Sequence, residues 1–256
     1  MAAFEINTEQ LLNLTPVYPL KKPLAATLLD DAEFGPAEFE ELCWHYLHNF
    51  PSAISLGKIK TRWIDEKDEA EPRAEGAGGG PRMEFDSRLY MNGEMIGQLM
   101  LSLYRRPTGE ANEVFLELEQ AQIWEPELRG RGLGKAIVEN VLTLGRTLGV
   151  KAVTLFAMYD GRFVWPALGF RFGDYAPDPK RATKYRKAFR AFCRRHGITP
   201  PDTRGWDAPD FARFISEKQA TAMLGYRRER DRRRQVEMGR AFLQSRYPFF
   251  LCYPLD

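Results

Sequence analysis

Chemistry concentrates in two neighbouring stretches of this 256-residue chain: Glu117 and Glu119 inside an apolar run, and Arg129-Gly130-Arg131-Gly132-Leu133-Gly134-Lys135 just behind it. Glycine at every second position lets the backbone turn tightly and approach a ligand without obstruction. Leu133, Ile137, Val141, Leu142, Leu144 and Leu148 follow at near-helical spacing, so a helix starts there and turns its unbonded first amides back on the loop. Such amides, with the positive end of a helix dipole, suit a phosphate or pyrophosphate. A tight strand-to-helix turn with no ligand is the alternative. Two familiar phosphate loops do not fit. Lys135 is followed by Ala136 at the wrong spacing for a Walker loop, and the glycines run G-x-G-x-G rather than G-x-G-x-x-G.

The two glutamates are two apart, which on a strand places them on one face with Phe115 and Ala121 while Leu116 and Leu118 face the other way. Carboxylates on a central strand are costly to bury unless a function or a positive partner accounts for them. Proton abstraction is one such function; pairing with basic side chains from the rear of the chain is the other reading.

The elements that must hold these groups are legible from pattern. Residues 1–35 show no clear period and read as coil. Residues 36–50 carry Phe39, Leu42, Cys43, Tyr46 and Leu47 at helical spacing, and 54–64 read as extended. His45 and His48 sit three apart in that helix with no third metal ligand in view. Residues 66–81 have little to bury and read as a mobile connection. Strands follow at 83–90 and 95–104 around Asn92-Gly93, the strongest short hairpin signal, then a turn at 107–112 and a strand at 114–124. Behind the loop helix, 151–158 reads as a buried strand parallel to the one before the helix. A basic helix over 179–196 interleaves Tyr185, Phe189 and Phe192 with eight Lys and Arg; helices at 208–224 and 227–243 and a strand at 247–253 complete the chain.

Arg129-Gly130-Arg131-Gly132-Leu133-Gly134 matches Q/R-x-x-G-x-G/A, the acyl-CoA pyrophosphate loop of the GNAT superfamily of N-acetyltransferases, and Glu125-Pro126-Glu127-Leu128 resembles its usual lead-in. Trp165-Pro166-Ala167-Leu168-Gly169-Phe170 is similar to the family segment in which a short helix ends at Gly-Phe. The resemblance spans about residues 83 to 173 and implies an α/β (α+β) fold. Its central sheet is mixed and mostly antiparallel, splayed at the acyl-CoA site, with helices on both faces. Residues 1–175 would form the acyltransferase core and 176–256 a basic, mainly helical extension. Acetyl-CoA would be the co-substrate, without a metal, and a primary amine would attack it directly. The resemblance assigns Glu119 as base with Glu117 beside it. It assigns Ile123, Trp124, Arg129, Gly130, Arg131, Gly132, Leu133, Gly134, Lys135 and Trp165 to the acyl-CoA, an amide near Ile123 or Trp124 polarising the carbonyl. Two positions depart from the pattern. Trp165 stands where the family commonly has the Tyr presumed to protonate the thiolate, and Met158 where it has an Asn. An indole has no proton to give at neutral pH, so Tyr159 and Tyr175 are the nearest candidate acids. An acyl-CoA-binding or interaction module without turnover is the second reading.

Composition bounds the rest. No apolar run reaches the 18 or so residues of a membrane span, and the start lacks a signal-peptide pattern, so the expectation is a soluble, cytoplasmic protein. Cys43, Cys193 and Cys252 are far apart and odd in number, fitting neither a zinc spacing nor a disulfide framework. Residues 1–170 carry 17 Lys and Arg against 25 Asp and Glu, a charge of −8, while 171–256 carry 20 against 10, a charge of +10. A basic rear third implies an acidic substrate, a nucleic acid or solvated helix faces.

Overall fold

Alternating apolar residues build a meander of three strands, β2 (Arg82–Met91), β3 (Glu94–Arg105) and β4 (Val114–Ile123), with β1 (Ile54–Ile64) paired along its outer edge. The computed structural model describes residues 24–33, 35–47, 54–64, 81–106, 113–128, 131–214 and 238–255. The coil expected over 1–23, the 66–80 connection, the turn at 107–112, His48, Arg129 and Gly130 lie outside them, as does 215–237. Asn92 and Gly93 both take positive φ, 53° and 83°, as a two-residue hairpin turn requires.

Helix α3 (Leu133–Leu148) crosses over to β5 (Ala152–Ala157), and α4 (Gly161–Ala167) leads to the two-residue strand β6 (Arg171–Phe172). Helices α5 (Pro179–Arg195), α6 (Ala208–Arg213) and α7 (Met238–Gln244) then precede β7 (Phe249–Pro254). The sheet order is β1-β2-β3-β4-β5-β7-β6, and β4–β5 is its parallel pair. The mixed, mostly antiparallel sheet with helices is the fold class expected. Met83, Phe85, Leu101, Leu103, Leu116 and Val153, each 0% exposed, line one face, and α2 (Gly35–Leu47) and α3 both lie on it. Each such side chain contributes roughly 1.5–3 kcal/mol by leaving water. The opposite face carries a polar cross-strand row of Arg62, Glu84, Ser102, Glu117 and Thr154.

Two expectations change. Residues 24–28, read as coil, form helix α1 (Leu24–Leu28), whose Ala25 and Ala26 are fully buried. Five residues are too few to show a period; tertiary contact holds them, including the Arg105 guanidinium on the Ala26 carbonyl (2.7 Å) and the Asp30 carboxylate (2.6 Å). The helix expected from 208 stops at Arg213, because Phe214 turns extended (φ −74°, ψ 117°) and its carbonyl receives the Gly239 amide at 3.1 Å. Strand β7 lies between β5 and β6, so the basic helices are an insertion between paired strands. Their Phe189, Phe211 and Phe242 share one apolar cluster with Phe170, Phe172 and Phe249.

Candidate functional site

The parallel ladder between β4 and β5 is short. It runs over Phe115↔Ala152, Leu116↔Val153 and Glu117↔Thr154 and ends there, while β4 continues to Ile123 against β3 and β5 to Ala157 against β7. Beyond Thr154 the two strands part, and a cleft opens toward their carboxyl ends. A bulge sits at the parting. Met100 opposes Gln120 and Leu101 opposes Leu118, so Glu119 is the extra residue; a bulge bends the strand that carries it.

That bulge corrects the face assignment. Ala121 pairs with Leu99 and so joins the leucine face, whereas Glu119 stays on the Glu117 side, where its carboxylate accepts a hydrogen bond from the Ser102 hydroxyl. Gln120 and Gln122 follow on the polar face, joined at 2.8 Å. Ser102, fully buried, was missed in the sequence; its signal was one small polar residue among Leu99, Leu101 and Leu103. Further out, Glu84 lies between the guanidinium groups of Arg82 and Arg62, each at 2.7 Å.

At the closed end, the Tyr104 and Thr154 hydroxyls meet at 3.2 Å, bridging β3 and β5 over β4. Tyr175 packs there, 5.0 Å from the Phe115 ring, with the Arg106 guanidinium 4.9 Å from its own ring. Burial, and then the charges of Glu117 and Asp174, push the Tyr175 phenol above its ordinary pKa against the pull of Arg106.

The mouth of the cleft holds the loop. From β4 the chain passes through a single 3-10 turn (Pro126–Leu128) to α3. Gly132 precedes that helix in the left-handed region (φ 87°, ψ −2°), and among the described residues no side chain caps the helix start. The first intrahelical bond runs from Ala136 N to Gly132 O at 3.0 Å, so the Leu133, Gly134 and Lys135 amides precede the ladder. A Cβ built on Gly132 would meet nothing within 4 Å, so the space above the turn is open. Leu133 anchors the turn in the core, Arg131 is exposed, and Lys135 reaches Glu139 at 3.5 Å. Val164 of α4 stands near Gly134 and walls this end.

The remaining expected residues fall as follows. The Trp124 amide donates to the Ile96 carbonyl at 2.8 Å and therefore faces β3, away from the cleft. Ile123 pairs with Gly97, and ladder alternation directs its amide the opposite way. Tyr159 stands in the turn after β5, 80% exposed, outside the glutamate cluster. Trp165 is half-buried on α4, its ring 6.5 Å from Phe170 and its indole nitrogen over Gly161.

Residues 40–167, from α2 through α4, match the model of the Acetyltransferase (GNAT) family. The chain belongs to this GNAT family. Among solved structures it is similar to Arabidopsis thaliana Naa50 in complex with the bisubstrate analogue CoA-Ac-MVNAL, with 17% identity over 35% of this chain and 58% of that one (TM-score 0.29). It is also similar to a Trypanosoma brucei acetyltransferase, with 19% identity over 47% of this chain and 98% of that one (TM-score 0.31). For nourseothricin acetyltransferase the values are 15%, 50% and 77% (TM-score 0.27). The GNAT chain thus spans 58% of the length of the Naa50 structure. No curated protein matches it. Among the described residues, no helix is long and apolar enough to cross a membrane.

Proposed function

We propose that this GNAT-family chain transfers the acetyl group of acetyl-CoA to a primary amine by direct attack. The observation that supports it most is the parting of β4 and β5 beyond Glu117↔Thr154, with an uncapped helix start at its mouth. These residues fit an acyl-CoA. The Leu133, Gly134 and Lys135 amides and the Arg131 guanidinium would hold a pyrophosphate, with Arg129 and Gly130 completing the loop in sequence. The β4 edge beyond Glu117, which shares no ladder pair with β5, would run alongside an amide-containing arm. Acetyl-CoA supplies the thioester.

Glu119 takes the proton of the attacking amine, directly or through water. The Ser102 hydroxyl holds that carboxylate in place, and Glu117 adds negative charge that favours a cationic amine. Amides of the β4 edge near Ile123 polarise the carbonyl. The proton for the departing thiolate comes from Tyr159 or Tyr175, which Tyr159→Phe and Tyr175→Phe separate.

One observation favours a second reading, an acyl-CoA-binding module without turnover: Trp165, which has no proton to give, occupies the position of the family's usual acid. The two readings are separated by incubating the protein and cell extract with isotope-labelled acetyl-CoA and searching for acylated products by mass spectrometry. Label on an amine supports transfer; bound CoA with no label transferred supports the module.

A further inference from the structure

Helix α5 carries eight Lys and Arg and no Asp or Glu over Pro179–Arg195, and its two faces are used differently. Phe189, Phe192 and Cys193 are buried, and Tyr185 stacks on Phe172 with ring centroids 4.1 Å apart. The interleaved aromatic residues are therefore core and are not available to stack on bases. Lys184, Lys187, Arg190 and Arg194 remain exposed.

Beside this face, Arg186 and Arg190 of α5 and Arg204 of the following turn line one cavity of about 190 Å³, together with Thr183, Thr203 and Gly205. The guanidinium of Arg186 is fixed by the Trp206 carbonyl (3.3 Å) and the Thr183 hydroxyl (2.6 Å). Asp202 holds the Arg204 guanidinium chiefly through Oδ2, which accepts from Nε at 2.9 Å and Nη2 at 2.7 Å, while Oδ1 accepts from Nε at 3.2 Å. Arg204, with a smaller contribution from Arg190, keeps the Asp202 carboxyl below its ordinary range. Three guanidinium groups around one small space repel each other, and Asp202 offsets one of them. What remains is an excess of forked donors, two of them, Arg186 and Arg204, already oriented. That is the donor set of a phosphate site.

We propose that this cavity and the basic face of α5 bind the phosphates of a nucleic-acid backbone without reading its bases. The cavity takes one phosphate. From Lys184 to Arg194 the face extends about 15 Å, long enough to meet several more, since a duplex carries one charge per roughly 1.7 Å of its axis. The absence of outward aromatic residues on α5 makes the recognition one of charge alone. This site is separate from the cleft and does not depend on acetyl transfer there.

The test uses the full chain and two short fluorescent RNAs of unrelated sequence, with binding followed by anisotropy. Four cations on a single strand give a log–log salt slope of about −2.8, hence roughly a 50-fold loss of affinity between about 50 and 200 mM KCl, the same for both RNAs. Arg190→Gln combined with Arg204→Gln lowers affinity by about tenfold or more. Lys184→Gln combined with Lys187→Gln makes the slope shallower by about 1.4. Thermal melts of the same samples keep the parental midpoint and report that the variants are folded. The proposal is overturned by no RNA binding at low salt, by variants that bind as the parent does, or by preference for one sequence. Binding to phosphatidylserine vesicles instead of RNA, or capture of inorganic phosphate that RNA cannot displace, overturns it equally.

Discussion

Replacing Gly132 separates the backbone role of the loop from its ligand role. Gly132 has φ 87° and, among the described residues, no atom within 4 Å of an added Cβ, so a Cβ there costs chiefly the strain of the left-handed region, about 1–2 kcal/mol. For a chain of this size that lowers Tm by roughly 2–8 °C. Gly132→Ala pays this and little else, so it keeps its acetyl-CoA affinity to within a few-fold. Gly132→Glu has the same strain, partly offset by about 0.3–1 kcal/mol because a carboxylate is favourable at a helix start. Its carboxylate, however, would stand where the account puts a pyrophosphate. Two such charges about 4 Å apart repel by about 4 kcal/mol at an effective dielectric of 20. Solvent exposure of this turn trims that to roughly 2–3 kcal/mol, a 30- to 150-fold rise in Kd. Calorimetric titration with acetyl-CoA, paired with thermal melts, measures both quantities. A folded Gly132→Glu protein with parental affinity would refute the reasoning, and so would an equal loss in Gly132→Ala.

Four further outcomes follow from the structure. Glu119→Gln should lower kcat by about 10²–10⁴-fold while leaving acetyl-CoA affinity unchanged; activity within tenfold of the parent removes Glu119 as base. Gly239→Ala would put a Cβ 1.5 Å from the Phe211 carbonyl oxygen, so loss of about 1–3 kcal/mol in denaturant unfolding is expected, and an unchanged midpoint would contradict the packing of α7 on α6. All three cysteines are buried, with the Cys193 and Cys252 thiols pushed up by burial to about 11 and about 12. Alkylation at pH 8 should be slow in the native protein and reach three thiols on denaturation. The raised thiols favour the protonated native form, so their stabilisation is complete below about pH 9 and is lost as pH rises through the window up to about 12. A native protein equally stable at pH 8 and 11 would contradict that sign.

The meander was legible because alternation and Asn92-Gly93 are local signals, and α3 because its apolar stripe is long. The bulge at Glu119 was not, since Leu118-Glu119-Gln120 looks like any alternating strand and the extra residue is defined only against β3. Reading through it placed Ala121 on the wrong face. Ser102 became meaningful only once β3 lay beside β4 and its hydroxyl met Glu119. The insertion of β7 between β5 and β6 joins residues far apart in the chain, and no local pattern encodes it. Tyr185, Phe189 and Phe192 interleave with basic residues in the sequence, where spacing gives the helix but not which side the core lies on; the cluster around Phe172 and Phe242 settles that.

The central claim is that the cleft between β4 and β5 carries acetyl groups to an amine. Its most direct test is transfer of label from isotope-labelled acetyl-CoA to primary amines, with mass spectrometry on the parent chain and on Glu119→Gln. The parent should yield an N-acetylated product, and Glu119→Gln should bind acetyl-CoA as tightly but transfer little. Tight binding of acetyl-CoA by the parent with no acylated amine in any extract would contradict it.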